Sequence, residues 1–229
     1  MSMADVTGNS AQIRLMHLVS PSLPIGGFTY SQGLEWAVEA GWIRGAEDLS
    51  NWLEGLLETT QVRVDIPILI RLYRAWAVAD EVEAKYWSRQ LLAWRETREL
   101  RFEESSRGRA LANLLISLGV EGANRWQSTL ALCQPAGFAL AAQCWGIPSS
   151  DAARGYLWSW LENQVIAAIK LVPLGQTEGQ RVLHGLVDRL AAGVEQGMIL
   201  KDHEIGAASP SMAIASCLHE TQYTRLFRS

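Results

Sequence analysis

The sequence is poor in the features that carry most protein chemistry. Its 229 residues hold three cysteines, Cys133, Cys144 and Cys217. An odd count without C-x-x-C spacing excludes a disulfide framework and a zinc knuckle, and suits a reducing cytoplasm. Lys and Arg total 20 against 24 Asp and Glu, giving a net charge of −4, and no basic run gathers on one face. That excludes a phosphate-tracking nucleic-acid surface. No apolar run approaches the ~20 residues that span a bilayer, and the opening MSMADVTGNS lacks the basic-then-apolar order of a signal peptide. The expectation is a soluble, cytoplasmic protein with neither nucleic acid nor membrane among its partners.

Catalytic motifs are equally scarce. There is no G-x-x-x-x-G-K-[ST] loop, no G-x-G-x-x-G after a strand, no H-E-x-x-H and no G-x-S-x-G. His17, His184, His203 and His219 stand far apart without ligand spacing, so no metal site is assigned. His17, among Leu15, Met16, Leu18 and Val19, reads as a partly buried, satisfied histidine. No catalytic residue and no stably bound cofactor are expected.

What is present is helical periodicity. Leu49, Trp52, Leu53, Leu56 and Leu57 repeat at i, i+3, i+4, i+7 and i+8, which predicts an amphipathic helix over 46–59. Asp65 as a cap and Pro67 in a first turn predict a second helix to about residue 79. Asp80 with Glu83 is a capping box that opens a third, through Tyr86, Trp87 and Leu91. A fourth covers 100–118, closed by Gly119. Ser150 or Asp151 caps a long helix that stops before Pro173, and another covers 177–195. Strand-like alternation never persists. The sequence therefore specifies an all-α, compact single-domain multi-helix bundle with short Pro/Gly connectors and a flexible C-terminal tail. Its expected parts are a disordered 1–10, a helical domain over 11–200, and a segment 201–229 that orders on a partner.

Four places break the rules of a plain bundle. VSPSLPIGGFTYSQGLE places Phe28, Tyr30, Ser31, Gln32 and Glu35 in a Pro- and Gly-rich connector. In WRETRELRFEESSRGRALANLL, the stripe of Leu111, Leu115 and Leu118 continues back through Gly108 and Glu104 to Arg101, so an internal Glu104–Arg101 pair is expected. The small residues Ser105, Gly108 and Ala112 would admit a neighbouring helix. YLWSWLENQVIAAIKLVPLGQTEGQ is apolar or aromatic around much of its circumference and carries Lys170 and Gln176. HETQYTRLFRS interleaves Tyr223, Leu226 and Phe227 with Arg225 and Arg228, the composition of an interface hot spot.

In series and in this order, SPSLPIGGFTYSQGLE, ETRELRFEESSRGRAL, AAIKLVPLGQTEGQ and HETQYTRLFRS resemble the urease accessory protein family UreF, over nearly the whole chain. The resemblance implies an all-α, non-catalytic component of a metallochaperone complex that dimerises. It also implies binding to UreD (UreH), recruitment of the GTPase UreG, and delivery of nickel, handled by the complex, to urease apoprotein. The residues singled out above then become partner-binding candidates. Two rival readings stand beside this one. Arg225 or Arg228 could act as an arginine finger that activates the GTPase. Alternatively, a helical enzyme would need Glu35, Glu104 and Lys170 to converge in one pocket.

Overall fold

The computed structural model describes residues 3–229. Helix α1 spans Met3–Leu18, so it already occupies most of the stretch that the sequence leaves without structure, while residues 1 and 2 lie outside the described part. A connector containing a 3-10 turn at Gly27–Thr29 leads to the short α2, Leu34–Glu39. Among the described residues there is no strand, and no helix is long and apolar enough to cross a membrane.

Helix α3, Ala46–Leu56, buries Leu49, Leu53 and Leu56 on the predicted stripe. The chain does not break where Asp65 and Pro67 suggest a new start. A π-helical stretch, Leu57–Asp65, runs directly into α4, Ile66–Ala77, with Asp65 itself helical at φ −67° and ψ −51°. Pro67 has no N–H for the carbonyl one turn earlier, and the helix upstream of it widens its register instead of stopping. Asp65 is therefore no cap, and its carboxylate is free for the interior.

Helix α5, Glu81–Trp94, starts as read: Asp80 accepts the Glu83 N–H at 3.0 Å. Only half of the capping box forms, because Glu83 instead accepts a hydrogen bond from Trp87 Nε1 at 2.6 Å. Helix α6, Arg98–Ser117, is capped by Thr97 and followed by Gly119 at φ +68°. After the short α7, Gln127–Leu130, comes α8, Gln134–Cys144, whose residues Gln134 through Ala142 are all buried. A Cβ on Gly108 would lie 2.8 Å from the backbone of Cys133, so the glycine lets α6 meet the entry to α8. That is the close approach its small-residue face predicts.

Helix α9, Ser149–Leu171, follows Pro148 without a side-chain cap, so its N-cap lies two or three residues ahead of the expected one. The helix expected over 177–195 is two, α10 at Gln176–Gly185 and α11 at Val187–Ile199, with the break at Gly185 and Leu186. Helices α10 and α11 pack on α9, while α4 packs on α8 and α5, so α8 and α9 form the middle of the bundle. Helix α12, Pro210–His219, packs against α2 and α6.

Candidate functional site

The first rule-breaking stretch is a platform for the last. Gln32 and Gly33 both have positive φ, 55° and 83°, and turn the chain sharply into α2. A Cβ on Gly33 would come within 2.9 Å of the Ser216 nitrogen, so this glycine serves both the turn and the approach of α12. Behind it, Ser216 Oγ and Thr97 Oγ1 share a buried hydrogen bond of 2.8 Å, which ties α12 to the start of α6.

On that platform, Glu35 gathers the end of the chain. Its Oε1 accepts the Leu226 N–H at 2.6 Å and its Oε2 the Phe227 N–H at 2.9 Å. The same Oε2 lies 3.1 Å from Nε2 of His219, whose side chain has no exposure at all. Nδ1 of that ring lies 2.7 Å from Glu99 Oε2, and Glu99 Oε1 accepts from Arg225 at 3.0 Å. A ring nitrogen that carries its proton donates to the carboxylate it faces, so the imidazole joins the two acids. Burying these polar groups is tolerable because each is hydrogen-bonded.

A second anchor lies one turn further along α6. The Ser31 N–H donates to the Ser229 backbone oxygen at 2.7 Å, and its hydroxyl donates to the same oxygen. Ser229 Oγ donates to Glu103 Oε2 at 3.2 Å, and Glu103 Oε1 takes Arg107 and Gln32, each at 2.9 Å. Gln32 also accepts from Trp160 Nε1 at 3.0 Å, reaching α9. The Arg228 N–H closes the set on the Thr29 carbonyl at 2.9 Å. Segment 201–229, expected to take shape on a partner, is thus laid against its own chain. The N–H groups of an irregular segment, which lack partners within it, find fixed acceptors there.

Deeper in the bundle, Arg95 forks onto Asp65 with contacts of 3.0 and 2.6 Å, and the Tyr156 hydroxyl donates to Asp65 at 3.2 Å. Glu104 reaches the same guanidinium only at 3.6 Å. Burial, partly opposed by Arg95, pushes its carboxyl up to about 7. Burial also pushes the Cys133 thiol up to about 12, with Glu104 adding to it, so this cysteine is no nucleophile. The expected Glu104–Arg101 pair does not form. Arg101 points outward and donates to the Arg95 carbonyl at 2.6 Å, because one residue on α6 separates the buried face from the rim.

The predicted residues divide accordingly. Tyr30, Ser31, Gln32, Glu35 and Phe227 are inside or beneath the docked segment, and Lys170 Nζ stands 5.7 Å from the Phe227 ring. Phe28, Tyr223, Leu226 and Arg228 remain exposed around it, and Gln176 lies apart at the first turn of α10. The three groups of the enzyme reading do not converge: Glu35 is spent on the chain end, Glu104 faces Arg95, and Lys170 lies over Phe227. Sequence reasoning missed His219, Glu99, Glu103 and Asp65. The i, i+4 spacing of Glu99 and Glu103 on one helix face was the available signal. No group of three His, Cys, Asp or Glu among the described residues is arranged to hold a metal ion.

Comparison with known proteins identifies the family. A family model for UreF matches residues 43–187. A urease accessory protein UreF from Alcanivorax borkumensis is 55% identical across 96% of this chain and 99% of its own length. Those from Alkalilimnicola ehrlichii and Pseudomonas putida are 52% and 49% identical, each over 96% of this chain and 96% and 98% of their own. These relatives carry the name of an accessory protein and not of an enzyme. The chain belongs to the UreF family of urease accessory proteins.

Proposed function

We propose that this chain is a non-catalytic scaffold that joins UreD (UreH) and recruits the GTPase UreG for nickel insertion into urease apoprotein. It does so as a homodimer in the cytoplasm, with the nickel handled by the complex as cargo. One observation carries the reading. The docked segment leaves Tyr223 fully exposed, with Leu226 and Phe28 more than half exposed beside it, on a base fixed by Glu35. Exposed aromatic and aliphatic side chains on a rigid base are the makings of a protein interface, since little entropy remains to be lost on binding.

The test is capture of purified UreD by the chain carrying Tyr223→Ala and Leu226→Ala. Both side chains are exposed, so the fold is untouched, and loss of two anchors should weaken capture by about 2 kcal/mol or more. Undiminished capture contradicts the reading. Of the two arginine-finger candidates, Arg225 is spent on Glu99, while Arg228 is exposed. Single-turnover GTP hydrolysis by UreG, saturated with the complex, separates the two. A scaffold arginine changed to Ala leaves the saturated rate intact, whereas loss of a finger lowers it by ~10³–10⁵.

A further inference from the structure

A cleft of about 290 Å³ opens between α5 and the turn at Asp202–Glu204, away from the docked segment. Glu83, Tyr86, Trp87, Gln90 and Trp94 line it from one face of α5, at i, i+3, i+4, i+7 and i+11, and Asp202 faces them. The walls are fixed. Glu83 Oε1 holds Trp87 Nε1 at 2.6 Å, and Asp202 Oδ1 accepts Nε and Nη2 of Arg71 at 3.0 and 2.8 Å. Gly206 allows Trp94 to lie against the turn, because a Cβ there would be 2.5 Å from the indole.

What this leaves open has a definite chemistry. Glu83 Oε2 and Asp202 Oδ2 take no hydrogen bond from the described residues, and no lining side chain is cationic. Arg71, beneath, neutralises Asp202 and covers one face of Trp87 at 5.7 Å, so Glu83 supplies the uncompensated negative charge. Tyr86 and Trp94 are 51% and 38% exposed as residues, and Val82, one residue from Glu83, is a largely exposed apolar shoulder. Aromatic faces attract cations through their quadrupole, and a planar guanidinium can stack on a ring while its N–H groups reach two separate carboxylate oxygens.

We propose that this cleft is a docking site for an arginine side chain presented by a partner protein, with Val82 as the apolar shoulder for the flanking backbone. It does not depend on the surface around Tyr223. The probe is a capped Gly-Gly-Arg-Gly-Gly peptide, titrated into the full chain while the indole N–H resonances of Trp94 and Trp87 are followed by NMR. The neutral control is the same peptide with citrulline. The arginine peptide should shift the Trp94 signal saturably, and citrulline should bind at least about tenfold more weakly. Glu83→Gln keeps an acceptor for Trp87 and so keeps the fold, and Tyr86→Ser alters an exposed ring. Each should weaken binding by a similar factor. Equal shifts from both peptides, unchanged binding in Glu83→Gln, or no Trp94 shift overturns the proposal.

Discussion

Glu35 and His219 are 184 positions apart, yet Glu35 Oε2 and His219 Nε2 are 3.1 Å apart in the interior. Through that contact the connector after α1 holds both α12 and the segment that follows it. The glutamate is thereby a structural hub, and its removal should be felt well beyond its own helix.

Glu35→Ala takes one carboxylate from the His219 ring and the acceptors from the Leu226 and Phe227 N–H groups. Leaving a buried donor without its acceptor costs about 1–3 kcal/mol, and here two backbone N–H groups lose theirs together. Urea denaturation should register that loss. A variant as stable as the parent would mean that the carboxylate is not the hub.

The buried acid on α6 should behave in the opposite way. Glu104 is raised from an ordinary 4.5 to about 7, so the native state holds a proton that the unfolded chain has released between those values. Its contribution to stability is therefore complete below pH 4.5 and lost as pH rises towards 7. Glu104→Gln keeps the shape without the charge and should be more stable than the parent at pH 8, by about 1–3 kcal/mol. Asp65→Ala leaves Arg95 without its bidentate partner and should cost about 3–5 kcal/mol. Melting curves across pH for both variants check this, and a Glu104→Gln protein that is less stable at pH 8 contradicts the assignment.

Two glycines supply a steric test. Gly108→Ala would push a methyl to 2.8 Å from the Cys133 backbone, and Gly33→Ala would add strain at φ +83° to a 2.9 Å approach to Ser216. Each should lose about 1–3 kcal/mol. Gly55→Ala meets nothing within 4 Å inside α3 and should be neutral or slightly stabilising, which makes it the control.

Much of the fold was legible because helical period and caps are local. The stripe from Leu49 to Leu56, the cap at Asp80, the αL glycine at 119 and the close-packing Gly108 all appear as read. Asp65 was misread as a cap because an acid before Ile-Pro looks the same whether the helix starts there or passes through in a wider register. The docked segment was illegible for another reason. Its anchors are the backbone N–H groups of Leu226, Phe227 and Arg228, which no side-chain pattern records. The same composition suits a free tail or a docked one. Of the marked residues of the first signature, Phe28 faces outward while Tyr30, Ser31 and Glu35 face in.

The docked segment is the claim on which the rest stands, and amide hydrogen exchange at Leu226 and Phe227 in the isolated chain tests it most directly. With both N–H groups held by Glu35, exchange should be slowed at least about a hundredfold relative to an unstructured peptide, and Glu35→Ala should abolish that protection. Exchange at the unstructured rate in the parent protein, while core amides such as Ile68 stay protected, would contradict it.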